Sequence, residues 1–214
     1  MRGVVLADAG GVVVEMVDAI NANRAKLSEI DGAIGDGDHG INMSKGFTQA
    51  GAALGDPLPP LPKALQVLAD ALFEGIGGSM GPLYGSLFGA MAETLGSAPV
   101  LDAPLCGRML RAGLEGVEEI GSAKPGDKTL LDSLAPACDA FDAAMAAGRP
   151  FAECLREMAA AAEKGRDSTR DMIARVGRAS RLGERSRGVV DAGASSCCLI
   201  LQTIAAGLEK RLQA

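Results

Sequence analysis

Three carboxylates, Asp31, Asp36 and Asp38, fall within eight residues of one another, and the only histidine of the chain, His39, follows directly. Gly32, Gly35, Gly37 and Gly40 are threaded through the same stretch. Hard cations such as Mg²⁺ take several oxygen ligands at short range and leave positions open for phosphate oxygens. Carboxylates this close repel one another unless a cation or a raised pKa relieves them. The stretch therefore has two readings, a cation-binding loop or a solvated acidic turn. A lone histidine is more often structural than catalytic. Beside three carboxylates, His39 is read as a contact to phosphate or its surroundings rather than as a phosphorylated nucleophile.

Three further breaks in the chain are rich in glycine and in hydroxyl or charged residues. Gly77-Gly78-Ser79-Met80-Gly81-Pro82 leads into an apolar run, and such a junction presents free N–H groups and a positive helix end to an anion. Gly126-Asp127-Lys128-Thr129 also sits at a helix start, with Thr129 as a cap or a ligand contact and Lys128 as a phosphate partner or a solvated surface residue. Gly177-Arg178-Ala179-Ser180 continues through Gly183-Glu184-Arg185-Ser186 to Asp191-Ala192-Gly193-Ala194, with arginines suited to bidentate phosphate contact. Each break alone has a bland explanation as a packing turn or an exposed loop. Four in one helical chain are hard to explain as packing alone.

The elements that must position these loops read as helices. Apolar residues recur at helical spacing from Val12 to Ile30, from Asn42, over Lys63 to Gly75, Leu83 to Leu95, Cys106 to Ile120, Thr129 to Ala147, Pro150 to Ala174 and Ala194 to Leu212. Four prolines between Asp56 and Pro62 mark a loop. Strand alternation is absent, and with no Trp, one Tyr and five Phe the composition favours helices packed through small residues. The expectation is about eight helices in one all-α domain spanning residues 1–214.

The formal charge of −6 argues against nonspecific nucleic-acid binding. No secretory signal or membrane-spanning run is read in the chain, and the five cysteines lack metal spacing, so a reduced, cytoplasmic setting is expected. Cys197-Cys198 reads as a pair of buried core thiols.

The blocks Ile34 to Met43, Gly77 to Gly85, Pro125 to Asp132, Gly177 to Ser186 and Asp191 to Ser196 resemble, in order and over nearly the whole chain, the signature of the nucleotide-binding L subunit of dihydroxyacetone kinases. The resemblance implies an antiparallel eight-helix barrel with ADP or ATP held at one end through two Mg²⁺ ions. It implies Asp31, Asp36 and Asp38 as metal ligands. It places His39, Gly40, Ile41, Asn42, Ser79, Met80, Gly121, Thr129, Leu130, Arg178, Asp191, Ala192 and Gly193 around the nucleotide. Met80 stands where the family commonly has serine, and Ala192 replaces the proline of an Asp-Pro-Gly turn.

The activity implied is transfer of the γ-phosphoryl group to a hydroxyl of a short-chain ketose or triose, dihydroxyacetone or a four-carbon sugar, held by a separate K subunit. The chain carries no evident sugar-activating residue of its own, and it ends after the nucleotide motifs, unlike a fused single-chain kinase. The donor is ATP, or bound ADP recharged by a phosphocarrier protein of the phosphoenolpyruvate-driven sugar system. A second copy of the chain, as a homodimer, completes the expected partners; nucleic acid and membrane are not among them. A nucleotide-loaded regulatory module without catalysis is the rival reading, and a helical lipid carrier is a third.

Overall fold

The computed structural model describes residues 3–212. The apolar stripes read from the sequence become nine helices among these residues: α1 (Gly11–Ala22), α2 (Arg24–Ile34), α3 (His39–Ala53), α4 (Leu61–Gly75), α5 (Met80–Leu95), α6 (Ala103–Ile120), α7 (Leu131–Ala146), α8 (Phe151–Ser168) and α9 (Ala192–Leu212). The one long helix expected over Val12 to Ile30 is broken at Asn23. Its backbone leaves helical geometry (φ −100°, ψ 7°), while its Nδ2 donates to the carbonyl of Ala19 at 2.9 Å. The broken helix resumes as α2 and runs on to Ile34, so Asp31 is helical and only Asp36 and Asp38 lie in the loop. The structure adds a two-residue antiparallel ribbon, β1 (Val4–Val5) with β2 (Val100–Leu101), too short to leave an alternation in the sequence.

Eight of the helices close a ring. Neighbours pack in the order α1, α3, α4, α5, α6, α7, α8, α9 and back to α1, while α2 lies outside it against α3 and α9. The chain reverses at each step, through a four-residue link between α7 and α8 and a long one, residues 169–191, between α8 and α9. The ring closes with the end of α9 against the start of α1, where Arg211 Nη1 meets Glu15 Oε1 at 3.1 Å. The fold is thus the expected all-α antiparallel barrel, with α2 as a ninth helix clamped on one side.

The barrel interior is packed by the inward stripes. Met43 and Phe47 of α3, Leu68 and Leu72 of α4, and Leu87, Phe88 and Met91 of α5 are fully buried. Phe47 meets Phe88 edge to face at 6.2 Å between ring centroids, and Tyr84 stacks on Phe88 at 6.3 Å. All five cysteines are buried and unpaired. Among the described helices α9 alone is long and apolar enough to cross a membrane, and it is packed into the ring between α8 and α1. This alternation brings the N-termini of α3, α5, α7 and α9 to one end of the barrel, together with the C-termini of α4, α6 and α8.

Candidate functional site: a cleft at four helix N-termini

At that end lies a cleft of about 650 Å³, within the usual size of a small-molecule site. Its wall is built from the helix starts: Asp38 and His39 at α3, Ser79 and Met80 at α5, Leu130 and Leu131 at α7, Asp191 and Ala192 at α9. α5 begins without a side-chain cap, while the first N–H of α3 is taken by Asp31 and that of α7 by Thr129. The positive dipole ends of these helices converge on the cleft, where an anion gains most.

The acidic group stands at the start of α3. Ligand oxygens of Asp31, Asp36 and Asp38 all lie within 4.8 Å of one another. α2 supplies Asp31, and the tight turn at Gly37 (φ +77°), a conformation natural to glycine, folds the loop back to bring Asp36 and Asp38 beside it. The Asp31 carboxylate also accepts the backbone N–H of His39 at 3.3 Å, tying the end of α2 to the start of α3. Three hard oxygen donors in one small volume fit a divalent cation of the Mg²⁺ type and not a soft metal. Arg178 lies over the group, with its guanidinium paired to Asp36 and 3.9 Å from Asp38.

His39 is buried at the floor of the cleft. Its Nε2 is 2.9 Å from Ser196 Oγ, which in turn is 2.6 Å from the Tyr84 hydroxyl. Burial pushes the imidazole down to about 4 against the opposing pull of the Asp31 charge, so the ring is neutral at neutral pH. Asp191, at the start of α9, accepts the Ala194 N–H at 2.7 Å. Burial nevertheless lifts its carboxyl to about 7, against that hydrogen bond and the nearby Lys128 charge.

These two shifts act on stability in opposite directions. Below about 6.5 the unfolded chain protonates His39 and the native one does not, so this residue lowers stability as pH falls toward 4. Native Asp191 instead holds a proton that the unfolded chain has released, so its contribution fades as pH rises from about 3.8 to about 7. Asp191→Asn is expected to expose the histidine effect, with stability rising by on the order of 2 kcal/mol between pH 4 and pH 6.5. Urea titrations across that range check the sign; a curve that still falls with pH in the variant contradicts it.

Of the residues expected around the nucleotide, the cleft wall contains His39, Asn42, Ser79, Met80, Gly121, Thr129, Leu130, Arg178, Asp191, Ala192 and Gly193, together with the three aspartates. Gly40 and Ile41 are not part of it. Ile41 points to solvent, 47% exposed. Gly40 is a packing residue: a Cβ there would run into the Arg24 carbonyl and lie 2.7 Å from Ser28 Oγ and 2.8 Å from Ser28 N. Gly40→Ala is therefore expected to push α3 off α2, at a cost of about 1–3 kcal/mol. Weaker Mg²⁺ binding should accompany it, because Asp31 and Asp38 sit on opposite sides of that contact. Thermal melts with and without Mg²⁺ check both parts.

Lys128 corrects another expectation. It lines the cleft through a residue at φ +65°, but it is only 2% exposed, and its ammonium donates to the carbonyls of Ser186 (2.5 Å), Val189 (2.6 Å) and Met172 (3.3 Å). It is neither a phosphate partner nor a solvated surface residue; it staples the 172–189 segment that carries Arg178. Thr129 lines the cleft, and its Oγ1 accepts the Leu131 N–H at 3.2 Å, as the capping reading expects. Sequence reasoning gave no role to Asp132, which accepts N–H groups of Gly126 (2.5 Å) and Thr129 (2.7 Å) and so shapes the loop before α7. It also left Ser122, Ala123 and Val176 of the wall without a role, and nothing in their types or spacing marks them.

The DAK2 domain matches residues 33–206 of this chain. A relative named PEP-dependent dihydroxyacetone kinase 1, ADP-binding subunit DhaL, from Listeria innocua is 35% identical over 188 residues, covering 87% of this chain and 89% of that one. The corresponding PEP-dependent DhaL subunit of Escherichia coli K12 is 33% identical over 193 residues, covering 88% and 90%. An L-erythrulose kinase of Pectobacterium atrosepticum is 36% identical over 194 residues, and there the chain spans only 33% of the relative's length. Among solved structures, the native dihydroxyacetone kinase of C. freundii superposes with a TM-score of 0.71 at 21% identity, over 96% of this chain and 36% of that one. The C. freundii enzyme in complex with AMP-PNP and Mg²⁺ gives 0.70 at 22%, over 92% and 33%, and both share the fold.

The chain belongs to the DAK2-domain family. Within it the chain is of the DhaL type, which it matches over about nine tenths of both lengths.

Proposed function

We propose that this chain is the nucleotide-binding subunit of a dihydroxyacetone-type kinase, passing a phosphoryl group from Mg²⁺-bound nucleotide to a short-chain ketose held on a separate K subunit. The observation that carries the reading is the cleft, where three carboxylates and four helix N-termini line one space of nucleotide size. Asp31, Asp36 and Asp38 would hold two Mg²⁺ ions, which would neutralise charge that develops on the transferring group. The N–H groups at the starts of α5 and α7 take up phosphate oxygens, and Arg178, exposed at the mouth, supplies positive charge toward the transferring end. Gly121, Leu130 and the Asp191-Ala192-Gly193 turn frame the remainder of the nucleotide.

The names of the relatives support the partners of this reading. ADP binding and PEP dependence in the DhaL names fit a resident ADP recharged by a phosphocarrier protein, and the longer erythrulose kinases fit a nucleotide half that works with a sugar-binding half. The bound AMP-PNP and Mg²⁺ of the C. freundii enzyme fit the same ligand class. A cytoplasmic setting, consistent with five unpaired buried thiols, and a homodimer belong to the proposal as well.

The test is reconstitution. With a K subunit loaded with dihydroxyacetone, the chain and Mg²⁺·ATP should yield the phosphorylated ketose, or should do so only when a phosphocarrier and phosphoenolpyruvate are supplied. The first result makes ATP the donor and the second makes ADP a cofactor. Nucleotide bound but no transfer with either donor contradicts the catalytic reading and leaves a regulatory module.

A further inference from the structure

The floor of the cleft holds a buried hydroxyl pair that the phosphoryl-transfer chemistry does not itself require. Ser196 Oγ, on a residue with no exposed surface, sits between His39 Nε2 (2.9 Å), Tyr84 Oη (2.6 Å) and the carbonyl of Gly193 (3.1 Å). Tyr84 Oη reaches the Gly193 carbonyl as well, at 3.2 Å, and Tyr84 is 1% exposed. Four short contacts thus share few protons. The carbonyl can only accept, and each hydroxyl has one proton to give.

The proton count separates the two tautomers of His39. If Nε2 is bare, only the two hydroxyl protons are available, and at most two of the four contacts are hydrogen bonds. If Nε2 carries a proton it donates to Ser196, one hydroxyl donates to the other, and the second donates to Gly193, so three of the four are satisfied. Buried polar groups left unpaired are costly, so the arrangement with more bonds prevails. Among the described residues Nδ1 of His39 has no hydrogen-bond partner, and the ring lines the cleft.

We propose that Ser196 is a positioning residue that locks His39 as the Nε2–H tautomer, so that the ring presents a bare Nδ1 to the cleft and accepts a hydrogen bond there from a water of the hydrated cation. This deepens the reading of the cleft as a Mg²⁺–nucleotide site and rests on it for the identity of the donor alone. It also reverses the simplest role for His39: a bare nitrogen repels a phosphate oxygen and attracts a proton-bearing ligand. The neighbouring carboxylate agrees, because Asp31 Oδ2 accepts the backbone N–H of the same residue and belongs to the acidic group that would hold the cation. Outer-shell hydrogen bonds of this kind orient a metal's ligands and tune their affinity.

With one histidine in the chain, ¹⁵N-histidine labelling leaves a single imidazole to observe. Long-range ¹H–¹⁵N correlation on the full-length protein without nucleotide should show Nε2 in the protonated range and Nδ1 in the bare range. This part does not depend on any ligand, so it stands or falls apart from the proposed function. A dominant Nδ1–H form, a fast average of both, or a doubly protonated ring at neutral pH overturns the proposal.

Mg²⁺ alone should then move the Nδ1 resonance while the tautomer stays fixed. A shift seen only after ADP is added overturns the assignment to cation water and makes a nucleotide hydroxyl or amino group the donor. Tyr84→Phe keeps the ring that stacks on Phe88 and removes only the hydroxyl. By the same count the Nε2–H form keeps two hydrogen bonds and the bare form one, so the tautomer should stay fixed in this variant. Ser196→Ala should abolish the preference, because Nε2–H loses its acceptor. Ser196→Ala folding normally with an unchanged imidazole spectrum would show that the hydroxyl is packing and overturn the proposal.

Discussion

Asp36→Ala is expected to weaken Mg²⁺-dependent ADP binding by about a hundredfold or more, with the fold retained. The side chain lies in the α2–α3 loop, 42% exposed, and its only ion-pair partner among the described residues is Arg178, itself 64% exposed. Removing it therefore disturbs no packing, and surface changes of that kind usually stay within about 0.5 kcal/mol. In the absence of metal the variant should even gain slightly, because two of three mutually repelling carboxylates remain. With metal the loss is large, since one of three hard ligands is gone and no other carboxylate joins the group. Titration calorimetry with Mg²⁺·ADP and urea unfolding with EDTA measure the two effects separately. Unchanged nucleotide affinity would remove the aspartates from metal binding.

Lys128→Ala is expected to be the most damaging single change to the fold near the site. The ammonium has three protons and three carbonyl acceptors, on Met172, Ser186 and Val189, so every donor is used. Burial lowers its pKa while the Asp191 charge holds it up, and the carbonyl oxygens stabilise the charged form directly. Truncation would leave those carbonyls without their donor and open a cavity, for a loss of about 3 kcal/mol or more. Lys128→Gly would relieve the cost of the positive φ, about 1 kcal/mol, and should fall between wild type and alanine. Because the stapled segment carries Arg178, nucleotide affinity should drop along with stability. A urea midpoint within error of wild type for the alanine variant would contradict this account of the staple.

The contrast between these two residues shows what the sequence could and could not carry. The aspartates were legible because three like charges within eight residues, interspersed with glycine, demand an explanation on local grounds alone. The helices were legible for the same reason, since each inward stripe, such as Met43, Phe47 and Ala50 of α3, is a local periodicity. Lys128 was not, because its partners lie 44 to 61 residues further along the chain, and only the closed fold brings them back. Ser196 and Tyr84 sit 112 residues apart, and as isolated residues a serine and a tyrosine in apolar helices look like any others.

The misplaced boundaries have equally local causes. Asn23 reads as one more polar position on a helix face, yet its side chain competes for the Ala19 carbonyl and ends α1 there. Gly40 and Ile41 entered the candidate site with the family motif that also holds His39 and Asn42. On a helix successive residues face about 100° apart, so a motif neighbour is not a site neighbour. Gly40 consequently meets the backbone of α2 and Ile41 meets solvent.

The most direct test of the central claim is native mass spectrometry on the intact chain, with and without added Mg²⁺·ADP. The account predicts a mass increase of one nucleotide and two magnesium ions, abolished in Asp36→Ala and retained in a variant of an exposed residue far from the cleft such as Val100→Thr. If the increase survives desalting, ADP behaves as a resident cofactor; if it appears only on addition, ATP exchange drives turnover. No increase under either condition would contradict the account and leave the three aspartates as an acidic turn.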